Sequence, residues 1–122
     1  TRQYGVFNLE RKIRIAAALT SLSNRCGKRL WITETNWPLL DTRPFTPNSG
    51  NPRSTVNETT QAKYLTDYYQ TAWRTGLVER VYWWQLNQAG YGLVDHRPNI
   101  PRKMPSFYAF KKLLDKDAFT YS

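Results

Sequence analysis

Glu34 closes the run Arg29-Leu30-Trp31-Ile32-Thr33-Glu34-Thr35-Asn36-Trp37-Pro38. The run begins with the apolar, β-branched composition of a strand and is stopped by a proline that cannot join a sheet ladder. Side chains alternate along a strand, so Leu30, Ile32 and Glu34 are expected on one face and Trp31 and Thr33 on the other. A carboxylate that ends an apolar row is costly unless it is paired or hydrogen-bonded. Two roles fit it: a structural acid bridged to a nearby arginine, or an acid held in place for chemistry. Other chemistry-bearing types are sparse. Cys26 is the one cysteine and His96 the one histidine, so neither an intrachain disulfide nor a Cys/His zinc set can be assembled. No Gly-x-Gly-x-x-Gly or phosphate-binding loop follows a strand, and no cofactor is expected.

The elements that must position Glu34 can be read from periodicity. Asn8 can cap a helix whose apolar stripe is Leu9, Ile13, Ala16, Ala17, Leu19 and Leu22, with Gly27 as its stop. The Glu34 strand follows at once. From Pro38 to Thr55, four prolines, Gly50 and several Asn, Ser and Thr residues exclude regular structure, and loops of that length are usually functional or disordered. A second helix opens between Thr55 and Glu58, capped by Thr55 or Asn57; it carries Ala62, Leu65, Tyr69, Ala72 and Trp73 at helical spacing and ends at Gly76. The second strand, Glu79 to Leu86, should present Tyr82, Trp84 and Leu86 on one face and Trp83 and Gln85 on the other. Loop is expected from Asn87 to Pro105. Pro105 or Ser106 then starts a third helix with Phe107, Phe110, Leu113 and Leu114 on its apolar side. Helix and strand alternate throughout, which implies parallel strands joined by a right-handed crossover and an α/β layer architecture. Functional residues of such folds gather at the carboxyl ends of the strands, where the long loops lie here.

A chain of 122 residues, 40% hydrophobic and 15% aromatic, suffices for one domain with a core. Its 18 Lys+Arg against 9 Asp+Glu give +9. The charges fall in scattered groups, Arg11/Lys12/Arg14, Arg25/Lys28/Arg29, Arg97/Arg102/Lys103 and Lys111/Lys112/Lys116, which is the pattern of solvated surface rather than of a single nucleic-acid-binding stripe. No apolar run reaches the length of a membrane span. The chain opens on Thr1 without an initiator methionine, as a processed or truncated piece would.

Four phrases in order, Trp31-Ile32-Thr33-Glu34-Thr35-Asn36-Trp37-Pro38, Val81-Tyr82-Trp83-Trp84-Gln85-Leu86, Gly90-Tyr91-Gly92-Leu93-Val94-Asp95 and Arg102-Lys103-Met104-Pro105-Ser106-Phe107-Tyr108-Ala109-Phe110, together resemble the carboxyl-terminal part of a clan A glycoside hydrolase. The resemblance covers nearly the whole chain and implies a partial (β/α)₈ barrel: the last two strands and three helices, with residues 1–122 as one carboxyl-terminal segment. It further implies that Glu34 is the nucleophile of a retaining mechanism, attacking the anomeric carbon. By the same resemblance Trp84 is the aromatic platform beneath the sugar, where an indole face meets the C–H side of a pyranose; core packing is its other role. Asn36, Trp37 and Tyr91 are implied as loop contacts to sugar. Asp95 and His96 can bind hydroxyls, although a loop Asp more often fixes its own turn.

The chain also departs from the family. A retaining enzyme needs a second carboxylate about 5–5.5 Å from the first, and no segment here corresponds to the strand that supplies it. Glu58, Glu79, Asp41 and Asp67 fall in or beside helices and loops. Two strands cannot close a barrel, so an inner row of Leu30, Ile32, Tyr82 and Leu86 would lack an opposing layer. The expectation is a segment that acts on a carbohydrate substrate with a missing amino-terminal portion, or that self-associates, and that is inactive alone. The alternatives are a carbohydrate-binding α/β domain without catalysis and a basic nucleic-acid-binding module.

Overall fold

The computed structural model describes residues 8–23, 29–39, 56–87 and 90–115. Their order is α1 (Leu9–Ser23), β1 (Leu30–Thr35), α2 (Glu58–Thr75), β2 (Val78–Trp83), β3 (Val94–Asp95), β4 (Arg102–Lys103) and α3 (Pro105–Leu113). β1 and β2 pair in parallel, as the alternation of helix and strand requires, and β3 and β4 form a short antiparallel pair. The result is a mixed α/β unit in which helices cover one face of a two-stranded parallel sheet.

Local chemistry sets the element ends. Of the two candidate caps for α2, Asn57 is in place: its Oδ1 accepts the Thr60 N–H at 2.7 Å, a contact worth about 1 kcal/mol. Gly76 ends that helix at φ 69°, where a side chain would be strained, and its N–H closes on Trp73 O. α3 starts with Pro105 at its first position, where the missing N–H costs nothing. The expected stop of the first helix at Gly27 and the side chain of Leu22 lie outside the described residues, as do Asp41 and most of the loop after Pro38. The two ends of that loop are pinned together by a bridge between Leu39 and Val56, with Val56 N–H donating to Pro38 O at 2.9 Å.

Two clusters make the core. Leu9, Ile13 and Ala72 pack with Leu30, Ile32, Tyr68, Leu77, Val78 and Val81 between the helices and the sheet. Leu65, Leu93 and Leu113 join Tyr69, Trp83, Phe107 and Phe110 between α2 and α3. Several sequence expectations change here. Leu30 and Ile32 face the helices and form no inner row with Tyr82 and Leu86, which are exposed. β2 ends at Trp83 rather than Leu86, because the chain bends beyond it to meet the segment from Gly90. Trp73 lies at the exposed edge of α2, and Leu114 is past the end of α3 and exposed. The helix-free face of the sheet carries Trp31, 55% exposed, and Tyr82, 43% exposed. Parallel sheets are ordinarily covered on both faces; among the described residues this one is covered on one.

Candidate functional site

The register of the sheet decides where Glu34 stands. Leu30 pairs with Val78, Trp31 with Arg80, Ile32 with Val81 and Thr35 with Trp83. Between the first two pairs β2 holds one extra residue; between the last two β1 holds one. The two irregularities cancel, so the strands leave in the register in which they entered. Burial follows the same pattern: Glu79 and Arg80 are both exposed, and so are Thr33 and Glu34. A bulge places two consecutive side chains on one side, and strict alternation therefore fails at Glu34. The carboxylate does not end the apolar row of Leu30 and Ile32; it stands exposed at the carboxyl end of β1 and pays no burial cost.

Glu34 is also distinguished by what it lacks. Among the described residues it is the one carboxylate with neither an ion pair nor a hydrogen bond. Glu10 pairs with Arg14 at 3.0 Å, Asp67 with Lys63 at 2.6 Å, Glu58 with Arg102 at 2.6 Å and Asp95 with Arg97 at 2.8 Å. Glu79 accepts the Trp31 indole N–H at 2.8 Å, and Asp115 has a partner as well. The structural role of an acid bridged to an arginine is thus filled by others and not by Glu34. No described carboxylate is left over to act opposite it.

The adjoining strand end carries Trp84. Its backbone N–H donates to Thr35 O at 3.0 Å, which sets it beside the residue that follows Glu34. The Trp84 ring is half-buried and meets Tyr91 edge-on, with ring centroids 5.3 Å apart. The Trp84–Gln85 peptide is cis. Tyr91 is only 8% exposed, so it supports Trp84 from within. Asn36 ties this end of the sheet together: its Nδ2 donates to Trp84 O and, at 2.7 Å, to Tyr91 O. Its amide is thus occupied with backbone. Trp37, also 8% exposed, is enclosed by Tyr64, Tyr68 and Trp83 at centroid distances of 5.1, 5.7 and 6.3 Å. Of the five residues singled out in the sequence, Glu34 and Trp84 stand at adjoining strand ends, while Asn36, Trp37 and Tyr91 form the layer that holds them.

α2 supplies the backing for this layer, with Leu65, Tyr69 and Ala72 as the sequence leads one to expect and Gln61 and Tyr68 in addition. Gln61, Leu65, Tyr68, Tyr69 and Ala72 form the sheet-facing stripe, so a polar residue stands where Ala62 was expected. Burial pushes the Tyr68 phenol up, against the opposing effect of its hydrogen bond to the Thr35 side chain. Tyr69, which donates to Val81 O at 3.0 Å, is pushed up to about 12 by burial. The signal that could have found Gln61 is its spacing of four from Leu65.

The β3–β4 pair flanks the site and is locked by charge. Asp95 accepts the Arg97 backbone N–H at 3.0 Å and pairs with its guanidinium, so it fixes its own turn, while His96 is exposed. Arg102 grips Glu58 at both oxygens, at 2.9 and 2.6 Å, and joins β4 to the first turn of α2. The Arg97 hydrogen bond holds Asp95 below its ordinary 3.8, and the Arg102 hydrogen bond holds Glu58 below 4.5. Both pKa values are depressed in the fold, so their stabilisation is complete above those ordinary values and is lost as pH falls through the lower, folded ones. The urea midpoint is therefore expected to fall as pH drops below about 5, and Arg102→Met should flatten that dependence. An equal slope in the variant would show that Glu58 contributes nothing to it.

Among the described residues no group of His, Cys, Asp and Glu is arranged to hold a metal ion, and no helix is long and apolar enough to cross a membrane. What the arrangement offers chemically is one exposed carboxylate, uncommitted among the described residues, at a strand end that adjoins the one carrying Trp84, whose ring is backed by an aromatic and amide layer. No family model, curated protein or solved structure matches the chain.

Proposed function

We propose that the chain is the carboxyl-terminal portion of a retaining glycoside hydrolase resembling clan A, the last two strands and three helices of a (β/α)₈ barrel. The observation that carries this reading is the pairing of roles at one sheet end: the uncommitted Glu34 carboxylate on β1 and the half-buried Trp84 at the end of β2. In the reaction, a Glu34 oxygen attacks the anomeric carbon while an acid on another segment protonates the departing glycosidic oxygen. A glycosyl ester forms on Glu34. The second carboxylate, now a base, takes a proton from water; that water attacks the same carbon and the Glu34 carboxylate leaves, restoring both groups. Trp84 holds the sugar's apolar side during both steps.

The acid/base group belongs to an amino-terminal portion, which would also cover the bare face of Trp31 and Tyr82. Self-association is the other way to cover that face. The commitment of every other described carboxylate favours a second reading, a domain that holds sugar without cleaving it. The test is to join the chain to amino-terminal (β/α) segments that end a strand in a carboxylate, and to assay a panel of aryl glycosides. Turnover supports the hydrolase; sugar binding without turnover in every assembly selects the binding domain.

A further inference from the structure

We propose that Gln61 is a positioning residue of the strand-end site. It acts through Asn36 to fix how the strand ends bearing Glu34 and Trp84 stand to each other. That these ends serve a sugar site rests on the reading above; the positioning itself does not.

Gln61 is completely buried at 0% exposure, on the stripe of α2 that otherwise holds Leu65, Tyr68, Tyr69 and Ala72. An apolar side chain would fill that place without desolvating an amide, so the amide must be needed for its hydrogen bonds. Its Nε2 donates to Trp37 O at 2.7 Å and to Asn36 Oδ1 at 3.4 Å. Among the described residues its Oε1 accepts no bond. What the residue contributes is therefore a donor, and Trp37 O, which can only accept, fixes which way the amide faces.

The consequence passes to Asn36. With its Oδ1 turned to Gln61, the Asn36 amide is oriented so that Nδ2 reaches the two carbonyls beyond, Trp84 O and Tyr91 O. One relay thus runs from α2 through the end of β1 to the end of β2 and to the segment from Gly90. Glu34 lies just upstream of Asn36, and Trp84 supplies one of the accepting carbonyls. Trp84 O and Tyr91 O fix which way the Asn36 amide faces, and Gln61 ties that amide to α2; if Gln61 is removed, the tie to the helix is lost and the two ends can slip relative to each other.

The test uses the 122-residue chain, labelled with ¹⁵N. In Gln61→Met, the Asn36 side-chain amide protons should exchange about tenfold faster, the loss expected for one buried hydrogen bond. The Trp84 indole N–H resonance should shift, while the Leu65 and Tyr69 amides keep their protection. Gln61→Leu, of similar size and without a donor, should do the same and serves if the Met variant does not fold. Asn36→Ala should move the Trp84 resonance with Gln61 intact, and adding Gln61→Met to it should move that resonance no further. Additive shifts, an unmoved Asn36 amide, or loss of protection at Leu65 in step with Asn36 would each overturn the proposal. Titration with cellotetraose, mannotetraose and xylotetraose, followed at Trp84, separates the two ideas. If the native chain binds none of them, the sugar reading loses support while the exchange and resonance results still judge Gln61.

Discussion

Glu34→Gln, in the chain joined to an amino-terminal portion that supplies the acid/base carboxylate, is expected to lower kcat/KM for aryl glycosides by about 10³-fold or more. The amide has the same shape as the carboxylate but no anionic oxygen, so it can neither form the glycosyl ester nor balance positive charge at the anomeric carbon. The loss will not come from unfolding. Glu34 is exposed and makes no ion pair or hydrogen bond among the described residues, and a substitution at such a position changes stability by about 0.5 kcal/mol or less. An unchanged urea midpoint checks this. A second variant sharpens the result: Glu34→Ala leaves room for formate, which can attack in place of the missing carboxylate and should restore part of the turnover. Turnover of Glu34→Gln equal to that of the native assembly would reject the nucleophile assignment, whatever sugar the enzyme takes.

That prediction depends on a feature hidden from the sequence. The three helices and two main strands could be read because their signals are local: stripes of apolar residues, Thr55 or Asn57 as cap, Gly76 as stop and Pro105 or Ser106 as start, with the fold choosing Asn57 and Pro105. A bulge is different. It depends on how two strands far apart in sequence settle against each other, and the pair of offsetting irregularities at Glu79–Arg80 and Thr33–Glu34 leaves no mark in composition. Alternation alone therefore assigned Glu34 to the buried row, when it stands exposed. The β3–β4 pair escaped for a similar reason, because two residues on each side are too few to show a period. Gln61 was passed over because polarity usually marks a solvated position; its burial reflects acceptors on Trp37 and Asn36 that only the tertiary fold brings within reach. Tryptophan type is likewise blind to role. Trp31, Trp37 and Trp84 lie within or beside the same sheet, and one is exposed, one enclosed and one half-buried.

Trp37→Ala separates the packing role of that residue from the sugar contact that the resemblance implied. Its ring sits within 5.1 to 6.3 Å of Tyr64, Tyr68 and Trp83 and is almost wholly enclosed. Truncation removes the largest side chain in that layer and leaves a void that the tyrosines of α2, held to Thr35 and Val81 by their hydroxyls, cannot readily fill. The expected cost is about 3–5 kcal/mol, which in a domain whose whole stability is of order 5–15 kcal/mol should lower the urea midpoint steeply or unfold the chain. Trp37→Phe keeps an aromatic ring against Tyr64 and Tyr68 and should recover much of that loss. A sugar contact would behave in the opposite way: Trp37→Ala would weaken oligosaccharide binding at an unchanged midpoint, and Trp84→Ala is the variant expected to show that pattern, because its ring is less enclosed and lies beside the strand end of Glu34. A stable Trp37→Ala chain with weakened binding would restore Trp37 to the sugar site and would mean that the layer beneath β1 is held by Gln61 and the tyrosines alone.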